Sequence, residues 1–510
     1  MNWVAPSGSA PDFIFDDGSE LRLHVLDTRL TGQWIQPGDE EDAHAEATPV
    51  SFVQDRRGLW HGTIHPVTNA QHLTLIVTPQ SRAPSQAMLL NPERNAGLGI
   101  GVRTLWLQGA IIRLQRAGSD DVIGRWDQGL NALFLKDPGL PGTFEFKKIA
   151  LTARSPYRYR RPAASDDGWQ TARLRDVGLD ETKIAELIDS VIAKPQSLRS
   201  PRLQALLIAR HGRLVLDDYF DGFDARRPHD VRSAGKSITT LMVGKAIERG
   251  AAFTPESAVS SIFSPYSPFE NYSLTKDRIT VANLMSMSAG YACDDNDDAS
   301  PGNEDRMQSQ SAQPDWYRYT LDLPMLFTPG ERALYCSAEI NLLGAVIEEK
   351  TDTWLPEFFY ENFAQPMQFG DYGMWLMPPP TYTAYMAGGD DFRPRDFLKF
   401  GQLFLDRGRW NGKQIIDPAW LARVSKKQSY VENGGGDYGW GWHLATYRAG
   451  GREIAAINAG GNGGQLLYVF PSLDMTVMIA AGNYGDYRVW SRFQDLPNAI
   501  LAALSSGTSR

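Results

Sequence analysis

The feature that most constrains the fold of this chain is a change in sequence pattern close to residue 165. Before it, short apolar or alternating runs recur between Gly, Pro, Asn and Asp, and no segment has a helical period. After it, runs with the 3.6-residue period of a helix alternate with strand-like runs. A basic, proline-bearing stretch at 154–162 separates the two patterns, as a linker would. We therefore predict a β-rich accessory region over 1–160, a linker over 161–175 and a second domain over 176–510.

The first region carries a weak repeat of strands. Its strand-like runs are bounded by turn residues, and glycine and tryptophan recur near each other in three of its fragments. This pattern predicts a meander of hairpins, loosely similar to a lipocalin-like barrel. The predicted strands are Leu21–Val25, Leu73–Val77, Thr104–Leu107, Ile111–Leu114, Ala132–Leu135 and Thr143–Phe146.

The second region reads as strands, a long helical insert, more strands and a terminal helix. That order predicts an α+β domain: an antiparallel sheet flanked by helices, with a helical subdomain. The predicted helices are Leu179–Ala193, with Asp180 as N-cap, Ser233–Arg249, Ala282–Ser288, Glu339–Lys350, Leu355–Ala364, Pro394–Leu405, Pro418–Ser425 and Asp495–Ala503. The predicted strands are Ala205–Arg210, Arg213–Tyr219, Gly439–Thr446, Glu453–Asn458, Gln465–Phe470 and Met475–Ala481.

Charge and composition exclude several classes of function. The 510 residues carry a formal net charge of −9, which disfavours nucleic acid as a partner because phosphate binding needs a basic face. No apolar run approaches the roughly 18–20 residues that span a bilayer. No signal peptide is visible, so cytoplasm and periplasm both stay open. The sequence has no HExxH and no Cys/His cluster, so we predict neither a metal nor a cofactor.

A candidate nucleophile lies at the start of an apolar helix, in Ser233-Ala234-Gly235-Lys236. A serine hydroxyl is a weak nucleophile until a neighbouring group takes its proton. Residues three apart share a helix face, so the Lys236 amine can lie beside the Ser233 hydroxyl. The alternative interpretation is that Ser233 is only the N-cap of the helix and Lys236 only a surface cation. Ser273-Leu274-Thr275-Lys276 has the same spacing but is followed by the polar Asp277-Arg278, which makes it a decoy.

Two further motifs follow in the chain. Tyr335 comes directly before a helical run and after Pro329-Gly330, and a phenol near a lysine can carry a proton. Tyr360, inside a helix-like segment, has no such turn before it. The stretch Asn458–Gly464 places four glycines before a strand, where backbone and ligand can approach closely. Core packing and a flexible turn are the alternatives for these two motifs.

This order of motifs resembles the serine β-lactamase and penicillin-binding-protein superfamily. The class-C-like branch, with its family VIII-type esterases and 6-aminohexanoate-dimer hydrolases, is the most similar. The resemblance covers about residues 175–505. It implies Ser233 as the acylated nucleophile, Lys236 as its activating base or hydrogen-bond partner, Tyr335 as proton shuttle, and the N–H groups of Ser233 and Gly461 as oxyanion hole. The residues implied or predicted to contact substrate are Ser337, Asn458, Gly460, Gln465 and Trp442.

Two departures from the family pattern affect the expected substrate. Asn458 stands where β-lactamases have the lysine that binds a β-lactam carboxylate, and Ser337 stands where they usually have Asn. The expectation is therefore a hydrolase for an ester or linear amide of a small substrate. The alternatives are a β-lactamase, a D-amino peptidase, and an acyl-enzyme sensor or binding protein that does not turn over. A Ser-His-Asp hydrolase is disfavoured because no Gly-x-Ser-x-Gly is present.

Several features have two interpretations. Cys293 and Cys336 form either one bridge, flanking the pocket if the resemblance holds, or two free thiols. The acidic loop 294–298 is either a cation site or, as we expect, a solvated loop. Tyr438, Trp440 and Trp442 form either an apolar substrate pocket or part of the core. The N-terminal region either caps the cleft or mediates self-association into a homo-oligomer.

Overall fold

The structure is a computed structural model of the whole chain. It describes residues 13–26, 29–38, 44–67, 74–81, 84–90, 102–116, 118, 121–136, 143–147, 156–192 and 200–505. Parts of the predicted runs at Leu73–Val77 and Arg154–Pro162 lie outside these residues. Among the helices of this described part, none is long and apolar enough to cross a membrane.

The described residues before 148 form strands joined by turns and loops, as predicted. Its second half forms an antiparallel meander in which each strand pairs with its neighbours in sequence. Between the first and last strands of this meander no pairing joins the described residues, so the lipocalin-like closure stays a prediction. The strands are β1 (Phe13–Ile14), β2 (Glu20–Leu26), β3 (Arg29–Gln36), β4 (Ala45–Gln54), β5 (Trp60–Gly62), β6 (Thr74–Thr78), β7 (Gln86–Leu90), β8 (Val102–Gln108), β9 (Ile111–Gln115), β10 (Val122–Asp127), β11 (Ala132–Lys136) and β12 (Phe144–Lys147).

The first strands belong to a sheet that they share with the second region. Strand β4 pairs antiparallel with a strand more than three hundred positions later, with Ala47 opposite Met374. The resulting order is β1-β2-β3-β4, then Tyr372–Leu376, Asp390–Phe392 and His229–Asp230. One sheet therefore contains strands from both sides of the predicted boundary near residue 160.

The predicted linker also packs against the second region. The Tyr159 phenol donates to Val215 O at 2.9 Å, and the Tyr157 phenol donates to the Asp218 carboxylate. Arg161 donates to Thr171 O at 2.7 Å. The described part of this segment, from residue 156 onward, is therefore held on the edge of the second region's sheet.

A nine-stranded sheet forms the centre of the second region, which confirms the predicted α+β class. Two of its strands, Gln465–Phe470 and Met475–Ala481, have the bounds predicted from sequence. The strands after β12 are β13 (Gln170–Thr171), β14 (Leu203–Arg210), β15 (Arg213–Tyr219), β16 (His229–Asp230), β17 (Tyr372–Leu376), β18 (Asp390–Phe392), β19 (Arg409–Trp410), β20 (Lys413–Gln414), β21 (Ser429–Val431), β22 (Gly436–Tyr438), β23 (His443–Ala449), β24 (Arg452–Gly461), β25 (Gln465–Phe470) and β26 (Met475–Ala481). The sheet has the order β13-β15-β14-β26-β25-β24-β23-β22-β21.

Both faces of this sheet are buried. Along β14, Leu207 and Ala209 face one core, and Leu206 and Ile208 face the other, as the two-residue period of a strand requires. The smaller core is closed by the first and last helices, and the larger one by the helical insert. The helices are α1 (Glu181–Ile192), α2 (Gly235–Glu248), α3 (Val259–Ile262), α4 (Val281–Met285), α5 (Glu304–Ser309), α6 (Trp316–Asp322), α7 (Ser337–Thr351), α8 (Leu355–Phe359), α9 (Pro394–Leu405), α10 (Pro418–Val424), α11 (Tyr487–Trp490) and α12 (Leu496–Ala502).

Candidate active site

Ser233 lies in a tight turn at the start of α2. A single 3₁₀ turn, Arg232–Ala234, leads into the α-helix, so the hydroxyl stands at the helix N-terminus as predicted. Lys236 follows on the same face, and its Nζ lies 2.8 Å from Ser233 Oγ. The ammonium also donates to Ala387 O at 2.6 Å. The structure thus brings together the two residues whose spacing suggested a nucleophile and its partner.

The Lys236 side chain is buried, yet it keeps its proton. Burial alone would lower the pKa of Lys236, but electrostatic interactions with Tyr335, Glu304 and Asp295 outweigh burial and hold that pKa above its ordinary value. An ammonium is a donor and cannot accept the Ser233 proton. Of the two roles that the sequence left to Lys236, this charge state favours that of hydrogen-bond partner.

Tyr335 lies beside this pair, in the segment that precedes α7. Its ring centroid is 5.1 Å from Lys236 Nζ. The next residue, Cys336, is bonded to Cys293, with a Cα–Cα distance of 5.5 Å, so the bridged alternative is the one the structure contains. Because this bond closes a loop of 43 residues, chain entropy predicts a stabilisation of about 4 kcal/mol. The bridge and a hydrogen bond from Asp295 N to Tyr335 O, at 2.8 Å, fix the segment that carries the phenol.

Two carboxylates near Lys236 were missed by sequence reasoning. Asp295 lies in the acidic loop, and its Oδ2 accepts from both N and Oγ of Ser337, at 2.8 and 2.7 Å. Burial and the neighbouring Glu304 raise the pKa of Asp295 to about 7, although Lys236 opposes this shift. Glu304 begins α5 and accepts from the Tyr385 phenol at 2.5 Å. Residues 296–298 are exposed as expected, whereas Asp295 is only partly exposed and binds Ser337.

The glycine-rich stretch lies against the nucleophile turn. A Cβ added to Gly461, at the end of β24, would come within 2.3 Å of Val231 O and 3.1 Å of Ala234 N. A Cβ added to Gly460 would meet only a leucine methyl at 3.6 Å. The Asn458 side chain is partly exposed, and its Oδ1 has no hydrogen-bond partner among the described residues. The oxyanion role of Gly461 and the substrate contacts of Asn458 and Gly460 stay predictions.

Three side chains that were predicted to contact substrate are fully buried and make contacts within the fold, so their substrate contacts stay predictions. Ser337 begins α7 and binds Asp295. Gln465 donates to Ala481 O at 2.5 Å and so joins β25 to β26. Trp442 packs edge-on against Phe404 at 4.7 Å, in the core. Tyr438 and Trp440 belong to the same core, which favours core packing over a substrate pocket for these two residues.

The lysine of the decoy motif and the histidines that a Ser-His-Asp hydrolase would need have other contacts in the structure. Lys276 donates to Glu270 O and Leu321 O, at 2.7 and 2.6 Å, and therefore joins a loop to the last turn of α6. His211 pairs with Asp474 at the surface, His229 binds Gln204, and His443 lies 3.0 Å from Gly435 O. Over the described ranges, no group of three His, Cys, Asp or Glu side chains is arranged to hold a metal ion.

The chain is similar to known hydrolases in both sequence and fold. A family model described as beta-lactamase matches residues 201–492, more than half of the chain. The 6-aminohexanoate-dimer hydrolase of Paenarthrobacter ureafaciens is 23% identical over 384 residues, which cover 67% of this chain and 95% of that protein. The solved structure of EstCE1, described as a hydrolase with promiscuous acyltransferase activity, is 19% identical, with a TM-score of 0.50, over 63% of this chain and 98% of that one. A family VIII carboxylesterase is 17% identical, with a TM-score of 0.48, over 63% and 96%.

Proposed function

This chain belongs to the beta-lactamase family, and we propose that it is a serine hydrolase that forms an acyl-enzyme on Ser233 and hydrolyses an ester or linear amide of a small substrate. The observation that carries the proposal is the 2.8 Å contact between Lys236 Nζ and Ser233 Oγ at the start of α2. A serine at a helix N-terminus has free backbone N–H groups beside it, which favour a developing oxyanion.

The proposed roles follow from the charge state of the site. Tyr335, acting as the phenolate, accepts the Ser233 proton as Oγ attacks the carbonyl carbon. Lys236 stays an ammonium that donates to Ser233 Oγ and lies beside the Tyr335 ring. The N–H groups of Ser233 and Gly461 bind the oxyanion. Tyr335 then returns the proton to the leaving alcohol or amine, and the acyl group remains on Oγ. In the second half water attacks the acyl carbon, and the Tyr335 phenolate takes its proton. Tyr335 then gives this proton to Ser233 Oγ as the acyl C–O bond breaks, which releases the acid and restores the serine hydroxyl.

Two observations favour open-chain substrates over β-lactams. The position of the family's carboxylate-binding lysine is occupied by Asn458, which is neutral. Ser337, the second departure, is turned toward Asp295 and is fully buried, so it cannot replace that cation. A β-lactam carboxylate would therefore lose the charge pairing that the family pattern implies.

Negative charge near Lys236 supports a second candidate within the same reaction class. Asp295 and Glu304 act together on the charge of Lys236, and Glu304 also acts on Arg232. A cationic amine on the substrate would be attracted to this part of the site. Linear amides that carry an amino group, which the name of the Paenarthrobacter relative describes, are the substrates to test after simple esters.

The proposal is tested by following chromophore release from p-nitrophenyl acetate, p-nitrophenyl butyrate and nitrocefin. Ser233→Ala is the test variant, and Ser273→Ala, in the decoy motif, is its matched control. We expect the wild type and Ser273→Ala to turn over both esters with little nitrocefin hydrolysis, and Ser233→Ala to lose ester turnover. Turnover by Ser233→Ala at the wild-type rate would refute the role of Ser233, and a single stoichiometric burst from the wild type would favour a sensor.

A further inference from the structure

The N-terminal strands reach the immediate neighbourhood of the nucleophile. In the shared sheet β4 pairs with β17, β17 with β18, and β18 with β16. Strand β16 ends at Asp230, and the chain continues through Val231 and Arg232 to Ser233. The nucleophile turn thus follows directly from the shared sheet. In this sheet β17, β18 and β16 lie between β4 (residues 45–54) and the turn.

A stack of side chains runs along the same path. His44, the residue before β4, lies flat on Trp375 of β17, with ring centroids 5.2 Å apart and planes at 13°. The Arg232 guanidinium lies over the same Trp375 ring, 5.1 Å from its centroid. The indole N–H of Trp375 donates to Asp391 on β18 at 3.2 Å, so the ring is held from three sides.

The last member of this stack has a strained backbone. Arg232 has φ 49°, in the left-handed region that costs a non-glycine residue on the order of 1 kcal/mol or more. Its N–H donates to Asp230 Oδ1 at 2.9 Å, and its Nε lies 2.7 Å from Asp230 Oδ2. Trp375 on one side and Tyr484, at 5.3 Å, on another confine the guanidinium. Because Ser233 is the next residue, any relaxation of Arg232 moves Oγ relative to Lys236.

We infer that His44 is a positioning residue for the nucleophile: by packing on Trp375 it holds the Arg232 turn in which Ser233 reaches Lys236. This inference rests on the proposed function. His44 lies outside residues 201–492, the part of the chain that matches the family model. The N-terminal region of this chain therefore contributes to the active site itself and is more than a covering of the cleft.

The test compares His44→Ala, His44→Phe and His61→Ala. His44→Ala removes the stacked ring, His44→Phe restores a flat ring, and His61 is an exposed histidine on β5 that pairs with Asp55. For each variant, kcat and KM for p-nitrophenyl butyrate and the rate of Ser233 acylation by a fluorophosphonate probe are measured on folded protein. Should His44→Ala fail to fold, His44→Gln takes its place with the same expectation.

We expect His44→Ala to lower kcat and the acylation rate about 10- to 100-fold with little change in KM, because a small displacement of a reacting group is costly. His44→Phe should recover most of this loss, and His61→Ala should match the wild type. A wild-type kcat in His44→Ala, or no recovery in His44→Phe, would overturn the inference. Absence of ester turnover and of probe labelling in the wild type would instead count against the proposed function.

Discussion

At the scale of single residues, the role that Lys236 can take in the site depends on whether its amine is protonated. Burial lowers the pKa of Lys236, but its neighbours Tyr335, Glu304 and Asp295 raise that pKa above its ordinary value, so burial does not make this lysine a base. The sequence allowed both interpretations, since it shows the spacing of Ser233 and Lys236 but not the other neighbours of the amine. The Asp295 carboxylate is held at the site by hydrogen bonds from Ser337, 42 positions later in the chain. The local sequence pattern cannot predict a contact between residues so far apart.

His229 gives a prediction for acid stability. Its ring is buried beside Gln204, and burial lowers the pKa of His229 from 6.5 to about 4. The neutral form stabilises the fold above pH 6.5, and that stabilisation is lost as the pH falls toward 4. The loss should be on the order of 3 kcal/mol of unfolding free energy.

Urea unfolding between pH 7 and pH 4 measures this loss. His229→Gln should give a flatter dependence of unfolding free energy on pH than the wild type, whatever its absolute stability. His61→Gln, at an exposed position, should follow the wild-type curve within about 0.5 kcal/mol. Equal slopes for His229→Gln and the wild type would show that His229 does not titrate in this way.

At the scale of elements, the bounds of a helix or strand are predicted best where the segment carries its own local signal, such as an initial proline or a continuous apolar run. Helix α9 has its predicted bounds because a proline opens it, and β25 and β26 are continuous apolar runs. The strand predicted from Gly439 begins only at His443, since Gly441 turns with φ 73°. The pairing of β4 with β17 was not predictable, because strand partners depend on contacts far apart in sequence.

The two glycines at the end of β24 give a matched pair of variants. Neither has a positive φ, so only the space around each Cα distinguishes them. Gly461→Ala would press its Cβ on Val231 O and displace the nucleophile turn, and we expect kcat/KM to fall about 100-fold. Gly460→Ala has room and should keep the wild-type unfolding free energy. Ester kinetics and thermal unfolding of both variants check this, and an active Gly461→Ala would contradict the packing described.

At the scale of the whole molecule, the shared sheet makes the N-terminal strands part of the second region's stability. Ile35 and Ala47 are fully buried against Leu376. The Arg22 guanidinium lies 4.4 Å from the centroid of the Trp354 ring. A chain that lacks residues 1–62 would expose both this surface and the edge of β17.

We expect this truncated chain to aggregate or to melt at a clearly lower temperature than the full chain, because an open strand edge pairs with other molecules. Size-exclusion chromatography and thermal unfolding provide the measurement. A monomeric truncated chain with the wild-type melting temperature would show that the second region is stable without β1–β5.

The pairing of β4 with β17 also has a consequence for synthesis on the ribosome. Residues 45–54 emerge early, whereas their partner, residues 372–376, is translated only after most of the chain. Throughout that interval the part of β4 at residues 45–47 keeps an open edge, since β5 pairs only with residues 52–54, and an open edge favours premature pairing with other nascent chains. The nucleophile turn also emerges before β17 and can reach its final geometry only when the late strand closes the sheet. The nucleophile turn is therefore expected to become competent only after β17 has been translated, and the yield of active protein should depend on translation speed and chaperone supply.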